Sequence, residues 1–285
     1  MSSALSSAMA SSPLWLPPLV RAVTTAVLVV GASHAAEVMG PLAGALIASL
    51  PVASGPAYVF LAMRHGAEFI AGTAVSGLAA NAATGLMLIA YARLATRPGG
   101  WRGILLAALA WTAAALATRL AAHSVAFSLL LNLVVYGVGM ALSRPLAPAR
   151  VETRNARRPG WIDLALRAAA VGAFVTLVVA ASTALGPSAT GTATGFPVST
   201  ISLLALVRVR LGDAVAGRLA ADALPPMLGY GFVLLTVHLA AVPLGAALAL
   251  PLALAVSVSW SAAILALGRR RSSPPPGLAR HPAQP

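Results

Sequence analysis

The forty-six residues from Arg21 to Gly66 recur without a gap at Arg167 to Gly212, 146 positions further on, so whatever this chain folds into it must build twice. The two copies share Arg21/Arg167, Gly40-Pro41/Gly186-Pro187, Pro51-Val52/Pro197-Val198, Arg64/Arg210 and Gly66/Gly212 in identical register. Coincident alanines mean little in an alanine-rich chain. Glycine and proline, however, fix what the backbone can do, and their agreement with arginines at one offset marks a duplicated unit.

Composition places that unit in a membrane. Hydrophobic residues make up 59% and charged residues 9% of the chain, and a spanning helix needs roughly 20 mostly apolar residues. A water-soluble domain is excluded. The formal charge of +13 does not indicate nucleic acid, because the arginines lie between apolar runs and not on a polar surface. They read as topology determinants. Without cysteine there is no disulfide, thiolate metal site or cysteine nucleophile.

Nine spans are expected, at about 19–38, 41–63, 70–92, 102–121, 124–143, 162–184, 188–208, 222–242 and 244–267. The fold class is thus an all-α polytopic membrane protein. A first repeat of four spans covers 19–121, and a second covers 161–268. Between them, 122–160 holds one added span and a polar loop with Arg150, Glu152, Arg154, Arg157 and Arg158. The Ser/Ala/Pro-rich residues 1–18 and the Pro-rich tail 269–285 read as disordered. With the polar loop in the cytoplasm, sixteen arginines face inside and only Arg21, Arg64 and Arg119 face outside. An excess of basic residues in cytoplasmic loops is the expected orientation signal. It puts the N-terminus out and the C-terminus in. An odd number of intervening spans turns the second repeat over, and inverted repeats are characteristic of alternating-access transporters. Eight spans in parallel repeat is the competing topology.

Each repeat carries one expected broken helix. Pro51 and Pro197 sit inside the second span of their copies, where proline removes a helical hydrogen bond and clashes with the preceding turn. Non-helical backbone at that depth is tolerated only when buried in protein or lining a wet cavity. Hydroxyls cluster around the second break at Ser188, Thr190, Thr192, Thr194, Ser199, Thr200 and Ser202, whereas the first copy offers Ser49 and Ser54. Close helix packing is the other use of such small residues. The candidate substrate-binding residues are Pro51, Ser54, Pro197, Ser199 and Thr200, with Arg64 and Arg210 at the two mouths.

Gly191 six residues before Pro197, the Phe196-Pro197 step, and Gly66 and Gly212 fifteen residues after the prolines, followed by Glu68 or Asp213, resemble the small four-span inner-membrane proteins of the GlpM type. Gly44 departs by one position. The resemblance implies that each repeat is one such protein, in a bacterial inner membrane, sometimes tied to polysaccharide or glycerol-phosphate metabolism. It carries over no substrate.

Ionisable residues within spans are candidates for function. Arg64 and Arg210 complement a helix C-terminus, and Glu68 and Asp213 a helix N-terminus. Arg218 and Asp222 are four apart and pair on one helical face. His34 and Glu37, three apart without counterparts in the second copy, are candidates for proton coupling, as is Asp222. Asn81 and Asn132 read as interhelical glue. No cluster of acid, base or metal ligands suggests an enzyme, and no phosphate-cradling loop suggests ATP-driven transport. No cofactor is implied. The expected partners are the bilayer and a small-molecule or ion substrate, not nucleic acid, with a homo-oligomer left open. The leading expectation is a secondary transporter or pore. A non-transporting scaffold or accessory subunit of cell-envelope polysaccharide metabolism is the alternative.

Overall fold

The computed structural model describes residues 19–27, 30–31, 54–95, 101–121, 124–143 and 161–272. Pro51, Ser49, His34 and Glu37, the polar loop and both termini lie outside the described residues. Among the described residues there are only helices and short connections. Lipid leaves no alternative for an open chain, because helices satisfy their backbone groups internally.

After a helical piece at 19–27, the elements are α1 (Ser54–Ala62), α2 (Ala67–Leu94), α3 (Trp101–Ala121), α4 (Val125–Ser143), α5 (Trp161–Thr194), α6 (Val198–Leu211), α7 (Asp213–Asp222), α8 (Leu224–Leu244) and α9 (Ala246–Ser272). Six stretches are long and apolar enough to cross a membrane: Ala67–Leu94, Trp101–Arg119, Val125–Ser143, Trp161–Leu211, Asp213–Leu244 and Ala246–Leu267. This is a polytopic membrane protein, and its surface agrees. Large apolar side chains such as Leu105, Leu109, Leu116, Leu248 and Leu252 are exposed, while Thr73, Asn81, Ser128, Asn132 and Thr190 are buried.

The stretch Trp161–Leu211 doubles back on itself. Gly186 (φ 70°, ψ 174°) interrupts α5, in a region essentially restricted to glycine that costs an L side chain roughly 1–3 kcal/mol. Before it, Val179 O accepts from Arg64 Nη1 at 3.0 Å and Ser182 Oγ lies 2.7 Å from His65 Nε2, close to the start of α2. After it, Pro187 restarts the helix at a first-turn position where its missing N–H is no loss. The chain then descends beside α2: Pro187 lies against Gly72, Gly191 against Thr73 and Gly77, and Gly195 against Ala80. The approach is close because Gly191 has no side chain. A Cβ there would stand 2.2 Å from Thr73 O.

Central helix α2 packs on α3, α4, α5, α7 and α8. Its buried face is largely alanine, glycine and threonine, the small residues that let membrane helices approach. Helix α8 runs antiparallel to it: His238 Nδ1 donates to Ala71 O at 3.0 Å, and Asn81 Nδ2 donates to Met227 O at 2.9 Å. One end of the bundle gathers Arg93, whose Nη2 donates to Leu142 O at 3.3 Å, Arg208 with Asp213 at 2.6 Å, and Arg210 with Asp163. Exposed Trp101 and Trp161 stand at this end, as aromatic residues do at a membrane interface.

Among the described residues, helices cover the expected spans 70–92, 102–121, 124–143 and 244–267, and 162–184 and 188–208 fall in the one stretch Trp161–Leu211. Most of 19–38 and 41–63 lies outside the described residues, and at 222–242 helix begins nine residues earlier, at Asp213. Asp213, Arg218 and Asp222 make α7 too polar for an apolar window, yet its Ala216, Gly217, Ala220 and Ala221 are buried. Helices α7 and α8 are separated by Ala223 alone, and Pro225-Pro226 start the second where free N–H groups are not needed.

Candidate functional site

The site forms where helix fails. The chain unwinds over Gly195-Phe196-Pro197, between the end of α5 and the start of α6. Pro197 lacks an N–H, and Gly195 lets the turn lie close against α2, where a Cβ would stand 2.6 Å from that of Ala80. Val198 N donates to Phe196 O at 2.8 Å and Ile201 N to Pro197 O at 2.8 Å. The freed Gly195 carbonyl accepts from Thr84 Oγ1 at 3.4 Å, and Trp111 Nε1 donates to that hydroxyl at 3.0 Å. Phe196 is held edge-on to Trp111, with ring centroids 4.9 Å apart, and lies 5.7 Å from Phe174. A break inside a packed bundle thus has its backbone groups satisfied by neighbours, as membrane depth requires.

Beside the break lies a cavity of about 430 Å³, lined by residues from α1, α2, α5, α6, α7 and α8, a volume within the ordinary range for small-molecule sites. Pro197, Ser199, Thr200, Ser54 and Asp222, five of the sequence-derived site residues, line it together. Arg64 and Arg210 do not. Arg64 reaches a carbonyl of α5, and Arg210 pairs with Asp163, so each ties helix ends together. Asp222 pairs with Arg218 at 2.9 Å, as their spacing suggested. Pro51, His34 and Glu37 fall outside the described residues.

Of the seven hydroxyls in the second copy, Thr194, Ser199 and Thr200 are on the cavity wall. Thr192 is half-buried and donates back to Ser188 O at 3.1 Å, and Ser202 donates to Ser199 O at 2.9 Å. These two serve their own helices.

Sequence reasoning missed Arg167, which reads there only as a charge near the inner loop. In the structure it lines the cavity, and its Nη2 donates to Ser199 Oγ at 3.0 Å. The available signal was its recurrence in the repeat and its position six residues inside Trp161, about 9 Å along the helix. Tyr230 and Phe174 were also missed, since neither carries a motif.

A polar knot lies behind Asn81 on the cavity wall. Asn81 Nδ2 donates to Asn132 Oδ1 at 2.9 Å, Asn132 Nδ2 donates to Leu78 O and Ser128 O at 2.7 Å each, and Tyr136 OH donates to Asn81 O at 2.8 Å. These bonds join α2 to α4. Among the described residues no three His, Cys, Asp or Glu come together as a metal site.

Fold and site together define a polytopic membrane protein with an internal cavity at a broken helix. Comparison with protein-family models, with curated proteins and with solved structures finds no match for this chain.

Proposed function

We propose that this chain is a secondary transporter of a small solute, built from two inverted repeats, with its substrate site in the cavity at their interface. The observation that carries the reading is that the cavity wall holds four pairs of residues separated by the repeat offset: Ser54 with Thr200, Ala57 with Leu203, Asn81 with Met227, and Thr84 with Tyr230. A site shared by equivalent residues lies on the pseudo-two-fold axis that relates the copies.

The crossing of α2 and α8 supports the inverted sense. Asn81 bonds to Met227, its own counterpart, while Ala71, ten residues before Asn81, meets His238, eleven after Met227. Equivalent helices that cross antiparallel at equivalent residues are related by an axis perpendicular to their length. For spanning helices that axis lies in the membrane plane, the arrangement typical of alternating access. Neighbours support it too: α2 packs on α3 as α8 packs on α9, and α1 touches α9 as α6 touches α3. On this reading α4 is the added span that turns the second repeat over. Nine spans result, with the end carrying Arg93, Arg208 and Arg210 in the cytoplasm. Each repeat would be one unit of the GlpM-like kind.

Solute flux into proteoliposomes tests the proposal. Time-dependent, saturable uptake of at least one solute is the expected result. Sealed vesicles of folded protein that pass nothing from a broad panel, together with a stably co-purifying envelope enzyme, would favour the scaffold.

A further inference from the structure

Resting on the reading of this cavity as the substrate site, we infer that it binds a small organic monoanion, with a carboxylate held by Arg167, Ser199 and Thr200 and an apolar body against Phe174 and Phe196. The charge argument comes first. Arg167 lines the cavity within an apolar spanning stretch, where an ionisable group is costly and marks a pathway. Its charge is not neutralised by the described carboxylates at hand: Asp163 goes to Arg210, Asp213 to Arg208 and Asp222 to Arg218. The bond from Nη2 to Ser199 Oγ takes one of the five N–H donors that a guanidinium carries, and the enclosed Nε has no hydrogen-bond partner in the protein. A guanidinium in that state has donors to give to a planar anion.

Second, the groups around it have the same polarity. Pro197, Val198, Ser199 and Thr200 are the amino end of α6 and line the cavity, so the positive end of that helix dipole adds to the field of Arg167. The hydroxyls of Ser199 and Thr200 are donors as well. A cationic substrate would meet all three.

Third, the remaining wall selects the class of anion. Phe174, Val175, Val178, Phe196, Leu203 and Leu204 make it mostly apolar, which is unsuitable for a hydrated inorganic ion. The cavity of about 430 Å³ holds a body of several carbons beside the carboxylate. Asp222, also on the wall, disfavours a second negative charge.

The test is binding to the purified full chain in detergent, with benzoate and hexanoate as probes, benzamide as the neutral isostere, benzylamine as the cation, and chloride and sulfate as inorganic anions. Saturable benzoate or hexanoate binding is expected, with benzamide and benzylamine at least about tenfold weaker. Arg167→Gln should weaken benzoate at least about tenfold and leave benzamide unchanged, while Arg167→Lys keeps part of the preference. Equal affinity for benzoate and benzamide, sulfate binding as tight as benzoate, or no carboxylate binding by folded wild-type protein each overturns the inference. If Arg167→Gln does not fold, Ser199→Ala and Thr200→Val take its place. The benzoate preference must then fall in at least one of them, and its survival in both overturns the assignment. Carboxylate binding without flux would sink the transporter and leave this site standing. Flux of a neutral solute without carboxylate binding would do the reverse.

Discussion

Hydroxyls in membrane helices either bond back to their own helix or face a partner, and the two kinds stand eight residues apart in this chain. Thr192, bonded to Ser188 O and away from the cavity lining, belongs to the first kind, and Thr200, on the cavity wall, to the second. Thr200→Val keeps the shape and removes the polar atom. A net hydrogen bond contributes about 0.5–1.5 kcal/mol, so this change should weaken apparent substrate affinity about two- to tenfold. Thr192→Val should leave it unchanged, and equal effects from the two would return Thr200 to a packing role. His65 gives a second residue-scale test. It stacks on Phe69 with ring centroids 3.8 Å apart and lies 2.7 Å from Ser182 Oγ. Burial, and then the neighbouring Arg64 charge, hold its pKa below the usual histidine value. The unfolded chain therefore takes up the proton first as pH falls. This stabilising contribution is complete above about pH 6.5 and is lost as pH drops below that toward the folded pKa. Thermal unfolding followed from pH 7.5 to 5.5 should show a decline that His65→Gln reduces; an identical decline in the variant would remove His65 as its source.

At the scale of elements, the six membrane-length stretches among the described residues were legible because each is a long apolar run ended by arginine, glycine or proline. The break at Pro197 was legible for the same reason, since proline acts through its own covalent structure. Arg167 was not, because an arginine near a polar loop looks alike whether it points to headgroups or into a cavity. The start of α7 at Asp213 was hidden as well: three charged residues masked a helix whose alanine face is buried against its neighbours. What the sequence could not convey is approach distance. Gly191 reads as a motif residue, and its physical role is contact, since a Cβ there would meet backbone atoms, Thr73 O at 2.2 Å and Gly77 N at 3.0 Å. Backbone cannot step aside as a side chain can, so α2 and the 187–194 segment must part. Gly191→Ala should destabilise by about 1–3 kcal/mol. In α4, Gly137 has nothing within 4 Å of its would-be Cβ, and Gly137→Ala should be neutral or stabilising by up to about 1 kcal/mol. Denaturant titration of both in one detergent checks the contrast, and equal midpoints would mean that this close approach contributes nothing to stability.

For the whole molecule, the duplicated sequence admits two assemblies that differ in one observable. Parallel repeats place every pair of equivalent positions on one side of the membrane, and inverted repeats place them on opposite sides. Met63 and Val209 are such a pair, separated by the repeat offset and both exposed, at 69% and 66%. Met63 precedes Arg64, which is tied to Val179 near the start of α2. Val209 lies between Arg208 and Arg210, whose partners Asp213 and Asp163 belong to the opposite end of the bundle. Because the chain has no cysteine, Met63→Cys and Val209→Cys each create a single reactive thiol. In the proposed orientation the arginine-rich Val209 end is cytoplasmic, so an impermeant maleimide should label Met63→Cys in intact cells and Val209→Cys only after permeabilisation. Labelling of both from the same side would mean parallel repeats. The cavity would then have no axis to lie on, and an alternating-access mechanism would lose its structural basis.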